Sequence, residues 1–376
     1  MGVFDLERLA QFVTSRMGPL LVEHQRCSRT RSPLSKCSHC IDICPENALS
    51  FGAEGIEIAD NCLECGLCAG VCPTGALGIQ EPTQLALLEK IRSLNTQGVT
   101  IAIGCRRQPE LNPKGLSVPC LGCLSREFLL VLEQASHPVY FVLAEEKCAE
   151  CPVTGGREHC LNRLTEVGQI IATLGLKGGA IRLVPEAPPI KIPKKKEDTD
   201  PSRRAFFRSI FSGAKQVPKA MVQSILDDEP AEDAGSIKAV SGVEVDRQRL
   251  LRKGLEPLKE SMGELDLLQR PVLQSTCHFC RACTILCPLG ALKCSDDYRL
   301  TLDTGKCTGC GLCTDICLHQ SLALGPGKIA QLYQAEPELL AQGVKGRCQS
   351  CGQEMVTSEE NEFCFICAKR AAMMAN

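Results

Sequence analysis

Between Cys277 and Cys317 the chain reads CHFCRACTILC and, after an interval of nineteen residues, CTGCGLCTDIC, so the spacing C-x2-C-x2-C-x3-C occurs twice. Eight thiols at these offsets constrain the fold more than any apolar pattern does, because they must converge on shared centres. The full chain of 376 residues holds 27 cysteines, no Trp and only 4% aromatic residues, so metal-thiolate bonds are expected to supply part of the folding energy. A disulfide framework is the competing reading. The N-terminal MGVFDLERLAQFV carries charges within its apolar pattern, unlike the apolar core of a secretory signal, which favours a reducing, cytoplasmic location and metal over bridges. A net charge of −2, with Lys194, Lys195 and Lys196 as the one concentrated basic run, gives no footprint for nucleic acid. No stretch resembles a membrane span of about 20 apolar residues. A G-x-G-x-x-G or P-loop fingerprint for a nucleotide is also missing.

The spacing between Cys277 and Cys317 resembles the bacterial two-cluster ferredoxins, in which three close thiolates hold one cluster and the fourth reaches across to the other. The resemblance implies one [4Fe-4S] cluster on Cys277, Cys280, Cys283 and Cys317, and a second on Cys287, Cys307, Cys310 and Cys313. Leu318 stands where the family has proline after the last cysteine. A second unit of the same kind precedes it, with Cys37, Cys40 and Cys44-Pro45, then Cys62, Cys65, Cys68 and Cys72-Pro73. By the crossed rule Cys44, Cys62, Cys65 and Cys68 complete one cluster, while Cys37, Cys40 and Cys72 leave the other one ligand short, because Leu34 occupies the first position. Cys27 is the substitute, returned by a loop through SRTRSPLSK; a three-iron cluster or a non-cysteine ligand is the alternative. His39 is read as a neighbour of the site and not a ligand. Upstream, apolar residues from Val3 to Leu21 fall at helical spacing up to the Gly18-Pro19 interruption, which predicts a packing helix.

After residue 80 the pattern changes to alternating helix and strand. Strands are expected at 99–103, 139–144 and 180–184, with helices between them, as in a small parallel sheet. Loops beyond the carboxyl ends of such strands converge on a crevice. Cys105 and the 148–160 loop would meet there, and Cys120 and Cys123 would face it from a helix start, where partial positive charge favours thiolate. The order IAIGC, VPCLGC, FVLAEEKCAEC and GAIRLV resembles the iron-sulfur delta subunit of methyl-viologen-reducing hydrogenases. That likeness implies an iron-sulfur cluster on Cys105, Cys120, Cys148 and Cys151, with structural zinc or free and catalytic thiols as alternatives.

Residues 186–270 read as a linker, proline-broken and charged at first, then carrying two short amphipathic stretches. Its Ser202-Arg203-Arg204-Ala205-Phe206-Phe207 sequence resembles an export consensus but lacks an apolar stretch behind it. The tail pairs Cys348 and Cys351 with Cys364 and Cys367, two C-x2-C knuckles at zinc-ribbon spacing, expected to hold one zinc or a single iron. Cys294 is expected to be buried and inert. The fold expected is an α+β multidomain chain: two ferredoxin-like 2[4Fe-4S] domains (1–80 and 271–330) flanking a parallel α/β domain (81–185), with the linker (186–270) and a zinc-ribbon-like tail (344–376). These resemblances imply a cytoplasmic electron carrier with about four [4Fe-4S] clusters and a fifth in the centre. Its expected role is as a subunit serving anaerobic redox partners of hydrogenase, formate dehydrogenase or disulfide-reductase type. The other readings are an oxidoreductase using the central site and a redox-sensing or assembly module.

Overall fold

Each complete cysteine loop is curled by two residues in the left-handed region. The pairs are Glu64 and Gly66 (φ 53° and 74°), Phe279 and Arg281 (48° and 62°), and Gly309 and Gly311 (66° and 79°). For a residue with a Cβ that conformation costs about 1–2 kcal/mol, so the curl is imposed by the need to turn three thiols toward one centre. A second left-handed residue recurs three positions past the last cysteine of each motif: Asn47, Gly75, Gly290 and Gln320, at φ 50°, 65°, 60° and 52°. Leu318 therefore enters the same turn as the three Cys-Pro sequences. In the computed structural model of the chain the described residues are 20–80, 82–189, 246–260, 263–359 and 363–374. The apolar repeat before residue 20, the basic run and the export-like sequence lie outside them.

Both thiol-rich units are built to one plan. In the first, the hairpin Leu49–Gly52 and Gly55–Ile58 is accompanied by an antiparallel pair of end strands, Leu20–Val22 and Leu77–Ile79. In the second, the hairpin Leu292–Cys294 and Arg299–Leu302 is accompanied by Asp266–Leu273 and Leu322–Lys328. Leu20 and Leu21, expected at the end of a helix, thus lie in a strand, because their backbone groups pair with Gly78 and Ile79 across the unit. The second unit extends past residue 330, since Glu338–Gln342 adds a third strand beside Arg299–Leu302.

Between them in sequence lies a four-stranded parallel sheet, in the order Leu116–Val118, Ile101–Cys105, Val139–Val142, Ile181–Val184. The strand Leu116–Val118 has no counterpart in the sequence reading: it is three residues long with Ser117 at its middle, too short for a period to register. Helices Gln84–Thr96, Arg126–Leu132 and Gly156–Thr173 accompany the sheet, the first two capped by the hydroxyls of Thr83 and Ser125. Ile101, Ile103, Val139 and Phe141 are all but inaccessible, as strands covered on both faces must be.

One apolar core runs through the first thiol-rich unit, the α/β sheet and the helix Asp246–Leu255, joining Leu20, Ile79, Phe128, Phe141 and Leu250. The second thiol-rich unit has a smaller core of its own around Phe279, Leu292, Leu300 and Leu302. Polar bonds join the two: Arg31 donates to the carbonyls of Ile285 and Leu286 (2.7 and 3.2 Å), and the Lys36 backbone N–H donates to Asp315 (2.9 Å). Buried Glu127 receives two bonds of 3.0 Å from Arg247. Burial alone would raise the Glu127 carboxyl, but Arg247 and Arg126 outweigh it and hold the group at about 2. Among the described residues no helix is long and apolar enough to cross a membrane.

Candidate metal centres

The structure gathers the cysteines into six groups. Cys27, Cys37, Cys40 and Cys72 form one: burial first, then the charges of Cys72, Cys37 and Cys27, push the Cys40 thiol up to about 12, and Cys37 is raised by burial with Cys72 and Cys27 adding to it. Cys27 reaches the group from the junction of the short helices His24–Arg26 and Ser28–Arg31, not from an open loop. Leu34, at the position where the motif lacks its cysteine, is 54% exposed and turned away.

Cys44, Cys62, Cys65 and Cys68 line a second hollow with an empty volume of about 310 Å³. In the C-terminal unit Cys287, Cys307, Cys310 and Cys313 line one of about 390 Å³, and Cys277, Cys280, Cys283 and Cys317 line one of about 430 Å³. Backbone N–H groups point at sulfur in three of these turns, from Ala48 to Cys44 (3.3 Å), Ala291 to Cys287 (3.3 Å) and Ser321 to Cys317 (3.2 Å). A donor aimed at sulfur favours the charged form. Burial acts the other way on the bare thiols, lifting Cys307 to about 11 and Cys283 and Cys310 to about 12. Metal binding at such thiols must therefore release protons.

The α/β sheet makes a fifth group. Its strand order departs in opposite directions from Ile101–Cys105, so the crevice of an open parallel sheet falls beyond the carboxyl ends of Ile101–Cys105 and Val139–Val142. Cys105, Cys120, Cys148 and Cys151 line a hollow there of about 390 Å³, with Gln108 and Arg157 at its wall. Cys120 precedes a single 3-10 turn, Leu121–Cys123, which comes before the helix Arg126–Leu132, so Cys120 and Cys123 do not stand at the start of that helix. Burial accordingly raises Cys120 and lifts Cys123 to about 12, opposite to the thiolate expected from the sequence. Cys123 and Cys160 are sealed in the core and do not line the hollow.

Cys348, Cys351, Cys364 and Cys367 form the sixth group, with all four sulfurs within 4.8 Å of one another. Backbone N–H groups of Cys364 and Cys351 hold the Cys348 thiol down at about 6. The tail lies against the Cys277 hollow: the Cys277 N–H donates to the Ser358 hydroxyl (2.8 Å), the Ser358 N–H donates to the Cys277 carbonyl (2.9 Å), and the Phe365 ring stands 4.1 Å from that of His319 and 5.6 Å from that of His278.

Several neighbours of these groups carry no sequence signal. Cys294 lines the Cys277 hollow as a fifth thiol and is half-buried, not sealed as expected. Arg31 and Arg247 reach backbone carbonyls beside the thiols at Leu286 and Cys72. Distances of about two hundred residues in sequence separate such partners, so only tertiary packing brings them together.

Residues 35–76 match the family of 4Fe-4S dicluster domains. An uncharacterised ferredoxin of Methanocaldococcus jannaschii is 33% identical over 48 residues, which cover 12% of this chain and 77% of that protein. A ferredoxin of Methanothermococcus thermolithotrophicus is 31% identical over 48 residues, 12% of this chain and 80% of its own length. No solved structure matches the chain.

Proposed function

Because the chain belongs to the iron-sulfur ferredoxins through its 4Fe-4S dicluster domain, we propose that it relays electrons between partner redox enzymes of anaerobic metabolism. In this reading each of the four ferredoxin-type thiol groups holds a [4Fe-4S] cluster: Cys27, Cys37, Cys40 and Cys72; Cys44, Cys62, Cys65 and Cys68; Cys287, Cys307, Cys310 and Cys313; Cys277, Cys280, Cys283 and Cys317. Cys105, Cys120, Cys148 and Cys151 hold a fifth iron-sulfur cluster, and the tail holds one zinc or a single iron. Bound clusters supply one-electron oxidation and reduction, which the side chains do not.

The chain's own part is to position and insulate. The buried thiols of Cys40, Cys65, Cys68 and Cys72 keep water from the inner sites, and the N–H groups of Ala48, Ala291 and Ser321 stabilise negative sulfur. Repetition is the observation that carries the reading: four hollows, the central one included, each have a set of four motif thiols on their walls, with Cys294 as a fifth in one of them. A nucleophilic cysteine needs a lowered thiol pKa, whereas burial raises Cys105, Cys120 and Cys148. That argues against the thiol-catalysis alternative. Hydrogenase, formate dehydrogenase or disulfide-reductase partners follow from the resemblances, and a cytoplasmic setting from the many thiols and the charged N-terminal pattern.

The test is iron, sulfide and zinc per chain after anaerobic purification, with paramagnetic resonance of the reduced protein. About 16 to 20 iron with matching sulfide supports the relay. About 8 iron with several zincs would replace it with a scaffold or sensor.

A further inference from the structure

The four-thiol groups follow one another through packed elements. The helices His39–Asp42 and Leu67–Val71, which carry Cys40 and Cys68, pack together, as do Ala282–Ile285 and Leu312–Asp315, which carry Cys283 and Cys313. Between these pairs Arg31 and Lys36, which lie between Cys27 and Cys37 in sequence, bond to the carbonyls of Ile285 and Leu286 and to Asp315. At the other end the Cys44 group meets the central group at Cys65.

The contact at Cys65 is dry and close. Cys65, Leu67 and Val153 form one apolar cluster on which Cys120 and Cys151 also pack, so members of both four-thiol groups share its wall. Arg107 donates to the carbonyl of Leu63 across the same boundary. Two glycines permit the approach. A Cβ on Gly70 would lie 2.6 Å from the Cys123 carbonyl oxygen, and one on Gly122 would lie 2.6 Å from the Gly156 carbonyl oxygen and 2.7 Å from Leu67 Cδ2. The Gly70 contact cannot yield without moving the 120–123 turn away from the helix Leu67–Val71, and a Cβ on Gly122 would push that turn from Gly156 and displace the Leu67 side chain.

Resting on the relay reading above, we propose that the central four-thiol hollow is one terminus of a five-site path, entered from the Cys44 site across the contact at Gly70 and Gly122. Gly70 and Gly122 are then positioning residues, and the redox partner served by the α/β sheet differs from the one that meets the Cys277 end. A single electron gained at the central site is lost by the Cys44 site, and a low-potential protein partner, or dithionite in vitro, is the reductant.

The full-length protein, reduced anaerobically with dithionite, tests this by paramagnetic resonance. Wild type is expected to show magnetic splitting between the central and Cys44 sites, identified by its disappearance in Cys148→Ser. Gly70→Ala is expected to keep its iron and sulfide but lose that splitting; Gly122→Ala provides the same test from the opposite side if Gly70→Ala does not fold. Wild-type iron with undiminished splitting in the folded variant would overturn the path. So would splitting that persists in Cys148→Ser but disappears in Cys313→Ser, because the partner of the Cys44 site would then lie toward the C-terminal unit. A preparation with about 8 iron would fail the relay reading itself, a result visible before any variant is made.

Discussion

The two thiol-rich units share one plan and differ in what surrounds it. In the N-terminal unit Cys27, Cys40, Cys65, Cys68 and Cys72 are buried, and most belong to the core shared with the α/β sheet. In the C-terminal unit every motif cysteine is half-buried except Cys280, which is exposed, and the unit packs on a small core of its own. The C-terminal unit has both left-handed pairs of its loops, whereas the N-terminal unit lacks the pair that would accompany a cysteine at Leu34, since Ser38 sits at φ −131°. Losing the first cysteine thus removes the loop as well as the ligand. The regular motif stands near solvent; the edited one has Cys27 brought to it from outside the motif and is held by its neighbours. Burial and nearby charge tune iron-sulfur potentials, so the inner and outer sites are expected to differ in potential despite alike ligands.

Matched substitutions at the same motif position separate the two environments most sharply. Cys68→Ser and Cys313→Ser should each lose about four iron. Only Cys68→Ser should also destabilise the shared core, by about 3 kcal/mol or more; equal unfolding midpoints in anaerobic guanidinium would erase the distinction. Glu127→Gln should cost about 3 kcal/mol by leaving Arg247 buried without its partner. The sign with pH follows from a carboxyl held at about 2 against an ordinary 4.5: its stabilisation is complete above pH 4.5 and fades as the pH falls toward 2. The gap between wild type and variant should therefore narrow on acidification, and a gap that widens would reverse the assignment. Arg31→Ala, which removes the bonds to Ile285 and Leu286, should weaken the joint between the units by about 2 kcal/mol, read as faster amide exchange at that joint with iron unchanged. The smallest change tests the edited site. Cys27→Ser should lose about one iron and give a three-iron signal, and an unaltered iron content would remove Cys27 from the set.

Sequence alone determined the local geometry of the thiol loops, because spacing of two and three residues between cysteines leaves few ways to converge, and Cys-Pro turns announce where three of the four loops end. It also carried the alternation of helix and strand from residue 82 onward, since buried strands such as Ile101–Cys105 are continuous apolar runs. Only the tertiary structure decided the rest. The strand Leu116–Val118 is too short to read, and Leu20 and Leu21 fit a helical period until Gly78 and Ile79 offer them a ladder. The Cys120 thiol was expected to be activated at a helix start; burial among Leu67, Val153 and neighbouring thiols makes it harder to ionise. Contacts such as Arg247 to Cys72, or Lys36 to Asp315, span the chain and follow no period. Spacing governs what lies within one loop, but the order in which loops meet depends on which apolar faces share a core.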